Sequence, residues 1–293
     1  MLWDGLLLLG LLAGVLGVRW LALWVARLGW GLGIRLYEQV GQAAKDERIR
    51  SVVSAARLRF PRLMYWTEAR LTPRRFAGLP LTLIVISAVY LLGLFAGLIE
   101  ELVEADELVR LDTAVNAMLA PFRTDTTVAA LAWFTGLGGS VALTAVVVVT
   151  TALVWGLRHA YMIPGLWATL IGSQITIYVT KRVLDRERPE FLFDIAATSP
   201  SFPSGHAAGA MAVYGFVAYI VARHLVTARR RFELVYWTAV LVAMIGFSRM
   251  LLTLHYLSDV VAGFVVGAFW LLVGFVMAEQ LRLRQHTGHG RAH

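Results

Sequence analysis

The sequence predicts an all-α, polytopic membrane protein. Of its 293 residues, 58% are hydrophobic and 16% are charged, whereas soluble domains carry about 25% charged residues. Several apolar runs reach the roughly 20 residues that a helix needs to cross a bilayer. Charge is sorted between the runs, with basic clusters on alternate connections. The net charge of +8 therefore fits topology and anionic lipid headgroups, not nucleic acid. The chain has no cysteine, so a disulfide framework, a thiolate nucleophile and a Cys-ligated metal are excluded.

Residues 5–25 are mostly apolar and predict a first span, with Arg19 snorkelling at its inner end. A signal peptide would need a basic leading segment and a small-residue cleavage site, and neither is clear. Residues 26–78 are basic, with Arg27, Arg35, Lys45, Arg48, Arg50, Arg57, Arg59, Arg62, Arg70, Arg74 and Arg75 against four acids. A segment of this kind beside spans is expected on the cytoplasmic side. Ile49, Val52, Val53, Ala56 and Leu58 give part of it an amphipathic pattern suited to the inner leaflet.

Leu79 to Ile99 is the second predicted span. Charge then reverses, with Glu100, Glu101, Glu104, Asp106, Glu107 and Asp112 in an outer connection. There Leu108, Leu111, Val115 and Leu119 suggest a helix across the interface, although plain packing of a loop explains them slightly better. Val128 to Leu157 is too long for one straight crossing. Gly136, Gly138 and Gly139 mark a break, and the span proper starts near Ser140. Tyr161–Thr180, Ser204–Ala222, Leu234–Leu254 and Val260–Met277 complete seven crossings. With the amino end outside and the carboxyl end inside, each basic cluster falls on one side. The expected organisation is thus 1–78, an apolar helix and a basic segment; 79–280, a transmembrane domain; and 281–293, a polar cytoplasmic tail. The tail's His286, His289 and His293 fit a disordered polar end better than a metal site.

This topology gathers three polar clusters at the outer ends of spans. Lys181 and Arg188 are seven residues apart, which would align them if the helix continued. Pro189 biases Arg188 out of the helix. Pro203-Ser204-Gly205-His206 opens a span, where free backbone N–H groups and the helix dipole favour an anion. Ser204 adds a hydroxyl, and Gly205 permits close approach of a ligand. The third cluster is Ser248-Arg249 followed by His255 and Asp259. Four residues apart, His255 and Asp259 would share a helix face, so the carboxylate could accept from the imidazole N–H. Arg249 offers a planar fork suited to phosphate.

Two histidines, one of them held by an acid, suit a nucleophile and a proton donor. Three cations converging in an apolar wall call for an anion. No carboxylate cluster is evident that would hold a divalent ion. The sum is phosphoryl transfer through a phosphohistidine, stabilised by Arg and Lys and needing no metal or other cofactor.

These residues resemble the motifs of the type 2 phosphatidic acid phosphatase (PAP2) superfamily. The family pattern K-x6-R-P, P-S-G-H and S-R-x5-H-x3-D is matched by Lys181–Pro189, Pro203–His206 and Ser248–Asp259. The likeness covers roughly residues 80–280. It implies a six-helix transmembrane bundle, to which the first span here is an addition. It also implies that His255 attacks phosphorus, Asp259 orients it, and His206 protonates the leaving oxygen and then activates water. Lys181, Arg188, Arg249, Ser204 and Gly205 would cradle the phosphate.

The implied function is a lipid phosphatase of the cytoplasmic membrane with its site on the outer, periplasmic face. Its partners would be a phosphorylated lipid and the surrounding membrane lipids. Undecaprenyl diphosphate is the favoured substrate. Phosphatidic acid, phosphatidylglycerol phosphate and lipid A phosphate are rivals, and phosphate transfer between lipids is a related reaction. A non-catalytic lipid binder or transporter could use the same cations but would need neither histidine. A vanadate-holding haloperoxidase is more remote, because those relatives are soluble.

Overall fold

The computed structural model describes residues 2–43, 46–72, 76–104, 106–189 and 199–289. Lys45, Arg74, Arg75 and most of the expected loop after Pro189 lie outside them. All regular structure among the described residues is helical. The chain divides into two compact units, residues 5–85 and residues 1–4 with 86–293.

In the first unit, α1 (Leu2–Ala43) is one helix of 42 residues, about 63 Å at 1.5 Å per residue. That exceeds a bilayer's hydrocarbon core, and its candidate span is Leu12–Gly29. The helix runs on past the apolar stretch through Arg27 and Arg35. Helix α2 (Glu47–Arg59) opens on Asp46, whose carboxylate accepts from the Arg48 N–H at 2.9 Å. This is an ordinary N-cap bond. Helix α3 (Pro61–Leu71) starts on a proline, where a missing N–H costs nothing. Neither helix has a fully buried residue. Ile49, Val52, Val53 and Leu58 are exposed.

Helix α4 (Leu79–Glu104) is followed by α5 (Asp106–Leu119), α6 (Asp125–Thr135) and α7 (Ser140–Gly156). Then come α8 (Ile163–Leu184), α9 (Gly205–His224), α10 (Ala228–Leu251) and α11 (Leu257–His289). By length and apolarity six helices could cross a membrane, or seven if α6 and α7 make one broken span. Seven is the number the charge pattern predicts. The break lies at the expected glycines, with a 44° bend between the two helices.

Helix α9 is the centre of the second unit, packed against α7, α8, α10 and α11. Its small residues make this possible, for Ala207, Ala208, Gly209, Ala210 and Ala212 are all buried. Helix α11 answers with Gly263 and Gly267, four apart on one face. A Cβ on Gly263 would lie 2.5 Å from the Ser204 carbonyl oxygen, and one on Gly267 2.4 Å from that of Ala208. Backbones can meet this closely only through small residues, the usual contact surface of helices in lipid. Further along the bundle, Leu143, Val147, Met162, Leu166, Val213 and Phe216 form an apolar core. Glu279 of α11 accepts there from Tyr219 at 2.5 Å and pairs with Arg223 and Arg282.

The face of α5 differs from expectation by one residue. Leu108, Val115 and Leu119 are partly covered, but Leu111 is half exposed and Asp112 takes the buried position. A carboxylate there requires partners, and they lie in the site.

Candidate active site

Helix α8 ends sooner than the alignment of Lys181 with Arg188 requires. Its cap, Asp185, is left-handed at φ 42°. Arg188 therefore lies beyond the helix, and seven-residue spacing does not align the two cations. Residues 199 and 200 do so instead. Lys181 Nζ donates to the Pro200 carbonyl, and Arg188 Nε to that of Ser199 at 2.7 Å. Arg188 Nη1 also donates to the Leu254 carbonyl at 2.6 Å, which brings the first cluster against the third.

The third cluster is likewise not one helix. Helix α10 ends at Leu251, and Thr253 turns the chain with a left-handed φ of 55°. The N–H groups of Leu254 and His255 donate back to the Arg249 carbonyl at 3.0 and 3.2 Å. Satisfying a terminal carbonyl in this way closes the helix and fixes His255 beside Arg249. Helix α11 begins only at Leu257. Asp259 is its third residue, and its Oδ2 accepts from the Tyr256 N–H at 2.9 Å, the acidic half of a capping box. His255 Nδ1 lies 3.4 Å from the same Oδ2, without hydrogen-bond alignment. The pair expected from their spacing is thus in contact, though through a helix cap and not a shared helix face. Catalytic contacts commonly tighten only when substrate binds.

Ser204 is the N-cap of α9, its hydroxyl accepting from the Ala207 N–H at 3.5 Å. Its own N–H donates to the Asp259 carbonyl at 2.9 Å, joining the second cluster to the third. Gly205 and His206 form the first turn of α9. His206 packs on the glycine break between α6 and α7, where a Cβ on Gly138 would lie 3.3 Å from its ring. The break thus makes room for this imidazole. His206 also lies within the electrostatic reach of Arg249, His255, Arg188 and Lys181.

Arg249 is buried, donates from Nη1 to Thr135 Oγ1 at 3.2 Å, and leaves its Nε without a partner. Among the described residues, Lys181, Arg188 and Arg249 form no ion pair with a carboxylate. Burial presses Arg188 down from its ordinary range, with Asp259 pulling it back. Burial also lowers His255 to about 4, against the opposing pull of the adjacent Asp259 carboxylate and with Arg249 and Arg188 adding to the fall. An imidazole kept neutral within the electrostatic reach of two guanidinium groups can serve as a base or nucleophile.

Sequence reasoning placed all eight candidate residues in one region, and the structure brings their three segments together. It missed Arg186 and Asp112. Arg186 Nη1 donates to Asp259 Oδ1 at 2.6 Å and to Ser258 Oγ at 2.8 Å, while its Nη2 donates to Asp112 Oδ2 at 2.8 Å. Asp112 also accepts from the Ser258 N–H at 2.9 Å. Arg186 lies over the Tyr256 ring at 4.5 Å. An acid at the buried position of an apolar helix face was the available signal for Asp112.

Known proteins are similar to this part of the chain. The PAP2 superfamily model matches residues 163–282, a shorter stretch than the 80–280 expected. Phosphatidylglycerophosphatase B of Bacillus subtilis (strain 168) is 38% identical over 100 residues, 33% of this chain and 49% of the relative. The chain thus spans about half the length of that curated relative. A solved transmembrane PAP2-type phosphatidylglycerolphosphate phosphatase from Bacillus subtilis is 25% identical, with a TM-score of 0.61. That likeness covers 66% of this chain and 96% of the solved one. The match to the PAP2 superfamily thus spans residues 163–282, the stretch that carries all three polar clusters, and the fold is similar to that of a solved PAP2-type phosphatase.

Proposed function

We propose that the protein is a metal-independent lipid phosphatase that works through a phosphohistidine on the outer face of the cytoplasmic membrane. The observation that carries this is the meeting of three cations, none paired with a carboxylate among the described residues, around a buried histidine backed by an acid. A phosphate completes the site electrostatically. His255 Nδ1 faces Asp259, which leaves Nε2 to attack. As the Nε2–phosphorus bond forms, the bond from phosphorus to the lipid oxygen breaks, and His206 gives that oxygen a proton. His206 then takes a proton from water, whose oxygen attacks phosphorus and frees His255 and inorganic phosphate. Lys181, Arg188 and Arg249 stabilise the charge on the transferring group, with Ser204 and the Gly205 amide beside them.

The site stands at the ends of spans, so a headgroup can reach it while the tail stays in lipid. Phosphatidylglycerol phosphate is the substrate suggested by the names of the relatives. Undecaprenyl diphosphate is the substrate first expected from the sequence. Purified protein should release phosphate from at least one lipid in a panel of these two with phosphatidic acid and lipid A phosphate. Release should survive EDTA and be blocked by vanadate. Loss of all activity with EDTA, restored by Mg²⁺, would refute the metal-independent mechanism.

A further inference from the structure

A cavity of about 510 Å³ runs between α7 and α8 and ends on Gly205 and His206. Its α8 wall is Ile171, Gln174, Ile175 and Tyr178, positions i, i+3, i+4 and i+7 of one helix face. The three apolar members of that face are exposed at 49%, 57% and 60%, so the cavity opens toward the surrounding lipid. Leu143 lines the opposite side.

Gln174 interrupts this apolar stripe. Its Nε2 is buried and has no hydrogen-bond partner among the described residues. A buried, unpaired amide is costly, on the order of 1–3 kcal/mol, and calls for a partner that the described residues do not supply. Its Oε1 would lie 3.7 Å from a Cβ placed on Gly205, so the amide adjoins the first turn of α9. Gly209 leaves it room, for a Cβ there would lie 3.1 Å from Nε2. The unpaired amide is thus next to the histidine that faces the leaving oxygen.

Building on the phosphatase reaction proposed above, we infer that this cleft holds the leaving alcohol of the lipid and that Gln174 reads an oxygen on it. The alcohol is of glycerol type, with hydroxyl or ester oxygens a few bonds from phosphorus. Bare hydrocarbon would leave the amide unpaired. A second phosphate would meet no Lys or Arg, because neither is among the described residues that line the cleft. An amide both donates and accepts, so it can pair with a hydroxyl or an ester carbonyl. Rejection of a ligand that lacks the matching polar group is the usual result of such a site.

The test compares two monoesters on the same protein preparation. Dioctanoyl phosphatidic acid carries ester oxygens on its leaving alcohol, and dodecyl phosphate carries none. The readout is the ratio of kcat/KM for the first to that for the second, which does not depend on the amount of folded enzyme. Gln174→Met, close in volume but without a donor, should lower the ratio about tenfold, the value of one hydrogen bond. Gln174→Leu should shift it the same way. An unchanged ratio in an active variant overturns the role of Gln174. Failure of the wild-type protein to hydrolyse either monoester, or any other lipid phosphate, overturns the phosphatase reading itself.

Discussion

Arg186 Nη1 lies 2.6 Å from Asp259 Oδ1, on the carboxylate oxygen that His255 does not use. The other oxygen, Oδ2, faces His255 and the Tyr256 N–H. Each oxygen of Asp259 is thus assigned, and the carboxylate cannot rotate without losing a charge-assisted bond. Asp112 holds the far side of the same guanidinium. Asp112 of α5 is in this way connected to the orientation of His255, the proposed nucleophile.

Arg186→Lys keeps the charge but loses the fork that spans two acids. Turnover should fall on the order of 10–100-fold, the usual cost of losing an orienting partner, with KM little changed. Arg186→Met should also destabilise the fold by about 3–5 kcal/mol, because Asp112 and Asp259 stay buried without their cation. Steady-state kinetics and thermal unfolding in detergent check both effects. An Arg186→Lys protein with wild-type turnover would remove Arg186 from the orienting chain.

His255 should titrate near pH 4, not near the ordinary value of about 6.5. The sign follows from burial, which disfavours the imidazolium and moves the midpoint down. Above that midpoint the ring is neutral and able to attack. Histidine-labelled NMR of the substrate-free protein, with His255→Gln to assign the signal, measures the midpoint. A midpoint at or above 6.5 would mean that Asp259 outweighs desolvation.

Arg249→Ala should lower turnover by about 10²–10³, judged by the loss of one preorganised donor to a developing oxyanion. Arg249 forms no ion pair among the described residues, so the variant strands no acid there. Inhibition by vanadate should weaken in parallel. Parallel loss of turnover and vanadate affinity would mark a phosphate ligand. Unchanged vanadate affinity would assign Arg249 a structural role.

Gly263→Val should prevent the packing of α11 on α9, since a Cβ there meets the Ser204 carbonyl oxygen at 2.5 Å. Backbone cannot give way as a flexible side chain can. Loss of the monodisperse peak in size-exclusion chromatography is the expected result. Recovery of a folded, active variant would show that the close approach is dispensable.

The spans, the glycine break and the three polar clusters were legible in the sequence because they depend on local composition. Apolar length, charge sorting and punctuation by Gly and Pro are short-range signals. The connections within the clusters were less legible. Spacing suggested that Lys181 aligns with Arg188 and that His255 shares a helix with Asp259. Both relationships require continuous helix, whereas Asp185 and Thr253 adopt left-handed turns that spacing does not reveal. Asp112 was hidden for another reason. It lies far from the motifs in sequence, and its partners Arg186 and Ser258 are fixed only by packing.

The central claim is that His255 carries the phosphoryl group, and covalent labelling tests it most directly. Brief exposure to a ³²P-lipid phosphate substrate, followed by acid quench and peptide mapping, should give an acid-labile label on His255. The label should be absent from His255→Ala, which should also release no phosphate. Wild-type turnover in His255→Ala, or a label mapped to another residue, would contradict the account.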